Sequence, residues 1–490
     1  MKALLADDRR GRLAQIIALL AFATLIRSPA FGEWNFGIDD QFYALVGDRL
    51  RGGDLLYVDI WDRKGPLLYL IFAGVGTVWP SMLAYQLAAT VSAGLGAYGV
   101  SRIARRIADP VPAFLAGIVY LALLNRFEGG NLEAGVFFNS LVIGAAALMI
   151  ARFDLLCRGR IDAGLVLAFF SAGLAIAIKQ TAAFEGILFG STALVLLWRS
   201  PLPASGLAWR AMLLTLAGML PMIATGGFYW LYGHFAELWN AMVTSNFSRS
   251  YADPAIRGRR VLIMAGMLAI PLIFAAIGWH TLRNDAPERN PILRFLVLWE
   301  AVALALLFLF PNIFVHYAQA ALPPLAILCA GYFAERRRTL PGLVALVALS
   351  LLLSGSFHLH DRWRARPAAQ ALVDHVREVT PSRRLLVWGA PSYLYSLVGA
   401  EPATPLAFAP HLYESREWTG FDPATEVRRV LASRPESVIV QAPLPSSPLN
   451  PATVRMVDEY VCACGRKRGF TIYDHNGPQR QLVFSACAPD

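Results

Sequence analysis

Two pairs of charged side chains near the start of the sequence could carry out acid–base chemistry. Asp39 and Asp40 begin an amphipathic segment just after the first long apolar run, and Arg63 and Lys64 precede Pro66, where the second apolar run begins. A positioned carboxylate can take a proton from a hydroxyl group, and a cation can stabilise negative charge on a departing phosphate. We therefore predict that Asp39 and Asp40 are catalytic and that Lys64 and Arg63 bind substrate or phosphate.

Other polar residues are weaker candidates, and structural explanations compete with each of them. An acidic pair in a loop is often merely solvated, and long basic side chains next to a membrane span often anchor it at the lipid headgroups. A lysine inside an apolar span is costly and usually functional, whereas a lone histidine is more often structural. The further predicted substrate or phosphate ligands are Lys179, Arg126, His316, Tyr317, Asp59 and Asp62, of which the last two could instead order their loop. The lowest-ranked candidates are Glu128, Glu133, Glu185 and Glu300.

The composition indicates that membrane-spanning helices must position these residues. The chain has 490 residues, of which 56% are hydrophobic and only 16% are charged, whereas soluble domains carry roughly 25% charged residues. Apolar runs long enough to cross the bilayer recur as far as residue 357, and about twelve are expected, since each needs roughly 20 residues. Their predicted ranges are 13–29, 65–80, 82–101, 111–124, 134–151, 162–178, 181–198, 211–231, 260–279, 292–310, 318–334 and 340–357. The predicted fold class is an α-helical polytopic membrane protein.

The loops differ in charge from one side of the predicted membrane to the other. Basic residues gather in alternate loops, at 2–12, 102–106, 152–160, 199–210, 283–294 and 336–338. The positive-inside rule places these loops and the N-terminus in the cytoplasm, and an even number of crossings then places the C-terminus outside. The candidate residues lie mainly in the opposite loops, at 31–64, 125–133, 232–259 and 311–317.

The last part of the chain, 358–490, has the pattern of a soluble α/β domain following a transmembrane domain at 1–357. Helices are predicted at 368–379, 424–432 and 452–461, and strands at 384–388, 437–441, 470–473 and 481–484. Alternation of this kind indicates a small sheet covered by helices. We expect its residues to build a core or a surface that docks an acceptor. Cys487 could form a disulfide with Cys462 or Cys464, or all three could be free thiols.

Two motifs resemble those of the GT-C glycosyltransferases, in particular bacterial relatives of protein mannosyltransferases and lipid A aminoarabinose transferases. Those enzymes carry an Asp-Glu pair before an aromatic residue, and a Lys-Pro-Pro-Leu-like stretch that opens the second helix. Here Asp39-Asp40 and Lys64-Gly65-Pro66-Leu67 occupy these places, with Asp for the second acid and Gly for the first proline. His316-Tyr317, followed by Pro323-Pro324, is similar to a second family motif.

The resemblance implies a GT-C-like fold in the cytoplasmic membrane of a bacterium, with the C-terminal domain in the periplasm. Its first periplasmic loop, 31–64, would hold an acidic site. It implies transfer of a sugar from a polyprenyl-phosphate donor, with inversion, to an envelope glycan, lipid or protein. Asp39 would be the general base, Asp40 would orient the acceptor or assist a metal, and Lys64 would lie beside the phosphate. No cofactor is certain from the sequence, although a divalent metal is possible. The identities of the sugar and of the acceptor are not encoded in any motif.

Two other functions compete with transfer. A polytopic transporter or lipid-carrier flippase would have a similar number of helices, but transporters place ionisable residues near the bilayer midplane and often contain repeats, and we find no repeat. A non-catalytic scaffold would use the C-terminal domain to dock another envelope protein. Nucleic acid is not an expected partner, because no basic surface interleaved with aromatic residues is apparent.

Overall fold

The computed structural model describes residues 8–285, 287–310, 312–444 and 448–487 of the 490-residue chain. Lys2 and Pro311, which the sequence analysis placed in loops, lie outside the described residues.

Helices make up most of the described chain. In chain order they are α1 (Arg9–Arg27), α2 (Ile38–Arg51), α3 (Pro66–Val78), α4 (Met82–Ala104), α5 (Pro110–Leu124), α6 (Ala134–Ile150), α7 (Phe153–Cys157), α8 (Ala163–Ile178), α9 (Ala183–Trp198), α10 (Ala204–Leu231), α11 (Phe235–Trp239), α12 (Ser245–Phe247), α13 (Pro254–Asp285), α14 (Asn290–Leu309), α15 (Leu322–Leu328), α16 (Arg336–Leu352), α17 (Leu359–Val379), α18 (Tyr393–Val398), α19 (Pro410–Tyr413), α20 (Pro423–Ala432) and α21 (Pro451–Cys462). The strands are β1 (Leu385–Trp388), β2 (Ser437–Gln441), β3 (Arg466–Asp474) and β4 (Gly477–Ser485).

Local sequence explains where several helices begin. Proline opens α3 and α5, at a position where the missing N–H would have no partner within the helix. Asp8 caps α1, its Oδ1 accepting a hydrogen bond from the Gly11 N–H at 2.7 Å. The helix predicted from residue 368 begins earlier, at Leu359, and continues through Pro367. The first turn of this helix is held by contacts of Arg362 with distant parts of the chain.

The helices confirm a polytopic membrane protein. Among the described residues, seven helical segments are long and apolar enough to cross a membrane, at Arg9–Ala30, Pro110–Gly129, Gln180–Trp198, Ala204–Leu231, Pro254–Asn284, Asn290–Leu309 and Val315–Ala334. Three shorter apolar helices are Pro66–Val78, Ala134–Ile150 and Ala163–Ile178. The expected number of about twelve spans is not confirmed, because several of the predicted spans form shorter or less apolar helices than the bilayer requires.

The chain forms two compact units. The first contains the residues up to Ser28 together with 87–227 and 252–356, and the second contains 29–86, 228–251 and the residues from Phe357 onwards. The C-terminal residues therefore group with the first predicted outer loop, with α2 and α3, and with the loop after α10.

Helices of the first unit approach one another closely at glycines. A Cβ atom on Gly173 of α8 would lie 2.1 Å from the carbonyl oxygen of Gly218 in α10, and one on Gly331 would lie 2.1 Å from that of Gly278 in α13. Small residues at such crossings let helix backbones touch within a membrane. A larger residue at Gly173, Gly278 or Gly331 would force the helices apart, because its Cβ atom would lie within about 2.2 Å of a backbone oxygen.

In the second unit, α2 packs tightly on α3. A Cβ atom on Gly47 of α2 would lie 2.8 Å from the Cβ atom of Phe72 in α3. The ring of Tyr43 meets the rings of Tyr69 and Phe72 edge-on, with centroids 5.9 and 5.6 Å away. This packing fixes α2 against α3. Asp39 lies in the first turn of α2, and α3 begins two residues after Lys64.

The C-terminal residues of the second unit form the predicted α/β arrangement. The sheet order is β1-β2-β4-β3, with β1 and β2 parallel and the other neighbours antiparallel. β2 matches its predicted bounds, whereas β3 and β4 extend beyond theirs and form a hairpin. Cys464 and Cys487 form a disulfide, and Cys462 is a free, exposed thiol.

Candidate functional site

The acidic pair lies in the first turn of α2, where the helix dipole favours negative charge. Asp40 is buried, with 2% of its surface exposed, whereas the Asp39 side chain keeps 15% of its surface exposed. The two adjacent acids therefore have different environments. Asp39 is the one that a substrate hydroxyl could reach directly.

Lys64 forms an ion pair with Asp39. Its Nζ lies 3.7 Å from Asp39 Oδ1 and 3.4 Å from Asp62 Oδ2, and it sits 4.8 Å from the centroid of the Tyr43 ring. The backbone at Lys64 is held because Tyr57 Oη donates a hydrogen bond to its carbonyl oxygen at 2.7 Å. The structure thus brings together the acid and the lysine that the sequence motif pairs.

Asp62 is the buried partner that holds Lys64 in place. It accepts hydrogen bonds from the Tyr69 hydroxyl and from the Arg63 backbone N–H, the latter at 2.8 Å. Burial alone raises the pKa of Asp62, but the charge of Lys64, the nearby His411 and these hydrogen bonds outweigh burial and lower that pKa to about 2. Asp62 therefore stays negative at neutral pH and fixes the lysine by charge.

Arg63 is bound by an acid that the sequence analysis missed. Glu417, from the loop between α19 and α20, lies 2.5 Å from Arg63 Nη2 and 2.7 Å from Nη2 of Arg249. Burial raises the pKa of Glu417, but Arg63 and Arg249 outweigh it and lower the pKa to about 2. Glu417 is 354 residues from Arg63 in sequence, and neither Glu417 nor Arg249 belongs to a motif that would have revealed the contact.

His411 is a second residue from the C-terminal part of the chain that sequence reasoning missed. Its ring packs edge-on against Trp61, with centroids 4.9 Å apart, and only 3% of its surface is exposed. Burial, helped by the charges of Arg63 and Lys64, lowers the pKa of His411 to about 4 despite the opposing effect of Glu417. His411 is therefore neutral at pH 7. We call Asp39, Asp62, Lys64, Arg63, Arg249, Glu417 and His411 the Lys64 group.

Asp59 does not join the Lys64 group. It is exposed, and its Oδ2 accepts a hydrogen bond from the Leu55 backbone N–H at 2.7 Å. This contact closes the loop that leads towards Trp61. Asp59 therefore helps to order its own loop, which was the alternative role suggested by the sequence.

The first unit contains a separate set of candidates around His316. Its Nδ1 lies 2.9 Å from Glu128 Oε2 and 3.8 Å from Glu133 Oε1. The Nζ of Lys179 lies 5.0 Å from the centroid of the adjacent Tyr317 ring, a cation–π distance. The structure therefore brings together three candidates from distant parts of the sequence, His316, Tyr317 and Lys179. It also places beside them two acids, Glu128 and Glu133, that were the weakest candidates in the sequence. We call these five residues the His316 group.

The loop that supplies the two acids of the His316 group has a strained backbone. Glu128 adopts the left-handed conformation, with φ of 63° and ψ of 9°, which costs a residue other than glycine roughly 1–3 kcal/mol. Buried Arg27 holds this loop by donating hydrogen bonds to the carbonyl oxygens of Gly129 and Asn131, and Gln319 donates to the carbonyl of Phe127 at 2.8 Å. The strain is thus maintained by surrounding contacts.

Arg126 lies on the same irregular turn as Glu128. It is partly exposed and interacts electrostatically with Glu128.

Carboxylate oxygens and imidazole nitrogens are ligands that divalent ions such as Zn²⁺ accept. Glu128, Glu133 and His316 offer such atoms close to one another within the first unit. The donor set is compatible with a divalent cation, which the sequence left possible.

The chain is similar over nearly its whole length to a structurally known enzyme. ArnT from Cupriavidus metallidurans in the apo state aligns with a TM-score of 0.62 at 14% identity, covering 97% of this chain and 99% of that one. The same protein bound to undecaprenyl phosphate aligns with a TM-score of 0.60 at 13% identity, with the same coverage. The Archaeoglobus fulgidus oligosaccharyltransferase tethered to an acceptor peptide reaches a TM-score of only 0.49 at 11% identity, covering 90% of this chain and 70% of that one. No protein-family model and no curated protein matches the sequence.

The similarity to ArnT confirms the predicted fold, an α-helical polytopic membrane protein that ends in a small α/β domain.

Proposed function

We propose that this protein is a membrane glycosyltransferase that moves a sugar from a polyprenyl-phosphate carrier to a hydroxyl group of an envelope glycan, lipid or protein. The observation that carries the proposal is the position of Lys64 Nζ, 3.7 Å from the carboxylate of the partly exposed Asp39. This pair supplies a proton acceptor and a cation for the leaving group in one place. The structure of ArnT bound to undecaprenyl phosphate supports the carrier class, because the two chains share a fold.

In the proposed reaction, Asp39 removes the proton from the acceptor hydroxyl while its oxygen attacks the anomeric carbon of the sugar. The bond between that carbon and the phosphate oxygen breaks, and polyprenyl phosphate leaves with its electron pair. A positioned general base of this kind contributes roughly 10²–10⁴-fold to the rate. Direct displacement inverts the configuration at the anomeric carbon. The burial of Asp40 favours an indirect role, in orienting the start of α2, over contact with the acceptor.

Lys64 is proposed to stabilise the departing phosphate. Phosphate already carries negative charge, so a nearby cation assists departure more than a proton donor would. Arg63 and Arg249 share the single negative charge of Glu417, so these three residues keep a net positive charge that also favours an anion. Charge-assisted hydrogen bonds from arginine to phosphate are among the stronger polar interactions in proteins.

For the His316 group and Arg126 we propose binding of sugar or phosphate. The Nζ of Lys179 lies over the Tyr317 ring, and Glu128 orients His316. Because Nδ1 faces the carboxylate, the other ring nitrogen is the atom that a sugar hydroxyl would meet.

We further propose that the protein lies in the cytoplasmic membrane of a bacterium, with its N-terminus in the cytoplasm and the Lys64 group on the periplasmic side. Ile38, beside Asp39, has 46% of its surface exposed, so a cysteine there would be accessible. The exposed Cys157 lies in a loop predicted to face the cytoplasm. With the exposed Cys462 replaced by serine, a membrane-impermeant maleimide applied to intact spheroplasts should label Ile38→Cys and leave Cys157 unlabelled, and the reverse pattern would refute the proposed topology.

The function itself is tested by mass spectrometry of envelope glycans from cells with and without the protein. The proposal predicts that deletion removes one sugar residue from a defined glycan, glycolipid or glycoprotein, and that the lipid-linked donor accumulates. Purified protein in proteoliposomes should then transfer this sugar. Movement of a lipid carrier across the bilayer without transfer would support the transporter alternative.

A further inference from the structure

The segment that leads into the acidic pair has no regular secondary structure of its own. Residues 31–37 form turns and bends between the first span and α2, so their buried polar groups need partners elsewhere in the chain. α2 begins after Gly37, which has no side chain to cap it. The position of Asp39 therefore depends on what holds the preceding residues.

The turn of the C-terminal hairpin supplies part of that support. The backbone N–H of His475, between β3 and β4, donates to the carbonyl oxygen of Phe36 at 3.1 Å. Asn35 Nδ2 donates to the carbonyl oxygen of Tyr473 at 3.1 Å, and Gln41 Nε2 donates to Asn35 Oδ1 at 2.9 Å. A continuous chain of hydrogen bonds thus runs from the hairpin to the first turns of α2.

Arg362 of α17 contacts both the segment before α2 and the C-terminal hairpin. Its guanidinium donates hydrogen bonds to the Glu33 carboxylate and to the carbonyl oxygen of Asp474, and its Cζ lies 5.0 Å from the centroid of the Phe36 ring. The side chains of Arg362 and Glu33 are 3% and 2% exposed. Arg362 forms an ion pair with Glu33, and the charge of Arg366 also acts on this carboxylate. One buried arginine therefore binds the segment before α2, the hairpin and its own helix simultaneously.

We propose that Arg362 is a positioning residue for Asp39, acting through the segment from Glu33 to Gly37. The inference rests on the proposed catalytic role of Asp39. It assigns the C-terminal domain a function beyond a core or a docking surface: the domain holds the general base in its reactive position.

Three variants separate this role from simple stabilisation. Arg362→Lys keeps the charge opposite Glu33 but loses the forked geometry that reaches the Asp474 carbonyl. Glu33→Gln combined with Arg362→Met removes both charges, and replacing a buried pair together is often well tolerated. Arg377→Gln is the matched control, because Arg377 lies on the exposed face of α17 and pairs only with Asp374 and the Leu397 carbonyl among the contacts described for it.

Two measurements are made on the full-length protein in detergent or nanodiscs. The first is the kcat of sugar transfer alongside the KM for the donor. Displacing a catalytic group by about 1 Å can lower the rate roughly 10²-fold. We expect kcat to fall at least tenfold in the double variant and less in Arg362→Lys, with the donor KM changed less than twofold. The second is amide hydrogen exchange in residues 36–44, which should become faster in both variants while exchange in the sheet is unchanged.

The outcomes separate this inference from the proposed function. A normal kcat together with unchanged exchange in a folded double variant would overturn the role of Arg362 and leave the glycosyltransferase proposal intact. If the variants exchange faster but the wild-type protein transfers no sugar, the glycosyltransferase proposal is overturned, and with it the catalytic part of this inference. A raised donor KM with normal kcat would also overturn it, because that result indicates donor binding instead of positioning.

Discussion

Charged side chains are held in place in both the Lys64 group and the His316 group, but by different kinds of contact. In the Lys64 group, buried acids with lowered pKa values hold the cations, and the acid that binds Arg63 comes from the far end of the chain. In the His316 group, a strained backbone presents the acids, and Arg27 and Gln319 hold that backbone through its carbonyl oxygens. Substitutions of the buried acids or of their cations in the first group should therefore affect folding and rate together, whereas those in the second should mainly affect rate.

The largest expected effect on folding is at Glu417. Glu417→Gln removes the carboxylate that both Arg63 and Arg249 contact, and breaking a buried ion pair on one side costs about 3–5 kcal/mol. We expect a large fall in the midpoint of thermal unfolding in detergent. Glu414→Gln is the control, because Glu414 lies on the same loop outside this ion pair. Equal midpoints for the two variants would show that the contact with Glu417 contributes little.

The next largest effect is expected at Lys64. Lys64→Gln removes the cation beside the leaving group, and loss of one electrostatic stabiliser of this kind lowers kcat roughly 10²–10³-fold. It also leaves Asp62 without its main opposite charge, so the pKa of Asp62 should rise and the protein should lose stability at neutral pH. Arg49→Gln, which removes a partly exposed pair with Asp54, serves as the control. An unchanged kcat would place the phosphate elsewhere.

A smaller effect is expected from His411, and it depends on pH. The pKa of His411 is lowered from its ordinary value of 6.5 to about 4, so between these values the unfolded chain binds a proton that the folded protein does not. Stability therefore falls as the pH drops from about 6.5 to about 4. His411→Phe should fill the same space against Trp61 and lose less stability across this window. Parallel curves of unfolding midpoint against pH for the two proteins would contradict this prediction.

The smallest effect on stability is expected in the His316 group. Glu128→Gln keeps the shape of the side chain but removes the charge beside His316, and a partly exposed pair contributes about 0–1 kcal/mol. We expect an almost unchanged unfolding midpoint and a measurable fall in kcat. Glu128→Gly tests the backbone instead, because glycine adopts the left-handed conformation without strain. If Glu128→Gln unfolded the protein, the contrast between the two groups would be wrong.

The same contrast explains how much could be predicted from the sequence. Asp39 and Lys64 stand in a compact motif, and regular apolar runs and alternating patterns predict the membrane helices and the C-terminal sheet, so these were accessible from local information. Glu417 and Arg249 lie 168 residues apart and far from Arg63, and their contacts depend on folding of the whole second unit. The contact of Glu128 with His316 could not be predicted, because the left-handed backbone at Glu128 depends on contacts of Arg27 and Gln319 that no local pattern reveals.

The positions of the membrane spans could be predicted from the sequence better than their number. The predicted span at 318–334 is in fact a 3₁₀ helix, the short helix α15 and a second 3₁₀ helix. Two prolines open α15, and proline cannot donate the hydrogen bonds that a continuous α-helix requires. Hydropathy detects the apolar run but not this change of helix type.

The central claim is that Asp39 is the base that activates the acceptor, and transfer of a labelled sugar from its polyprenyl-phosphate carrier tests it most directly. Asp39→Asn should retain the fold and bind undecaprenyl phosphate but lose roughly 10²–10⁴-fold in transfer rate. Asp48→Asn, an acid on the same helix that pairs with Arg51, should transfer at the wild-type rate. A folded Asp39→Asn protein that transfers sugar as fast as wild type would contradict the account.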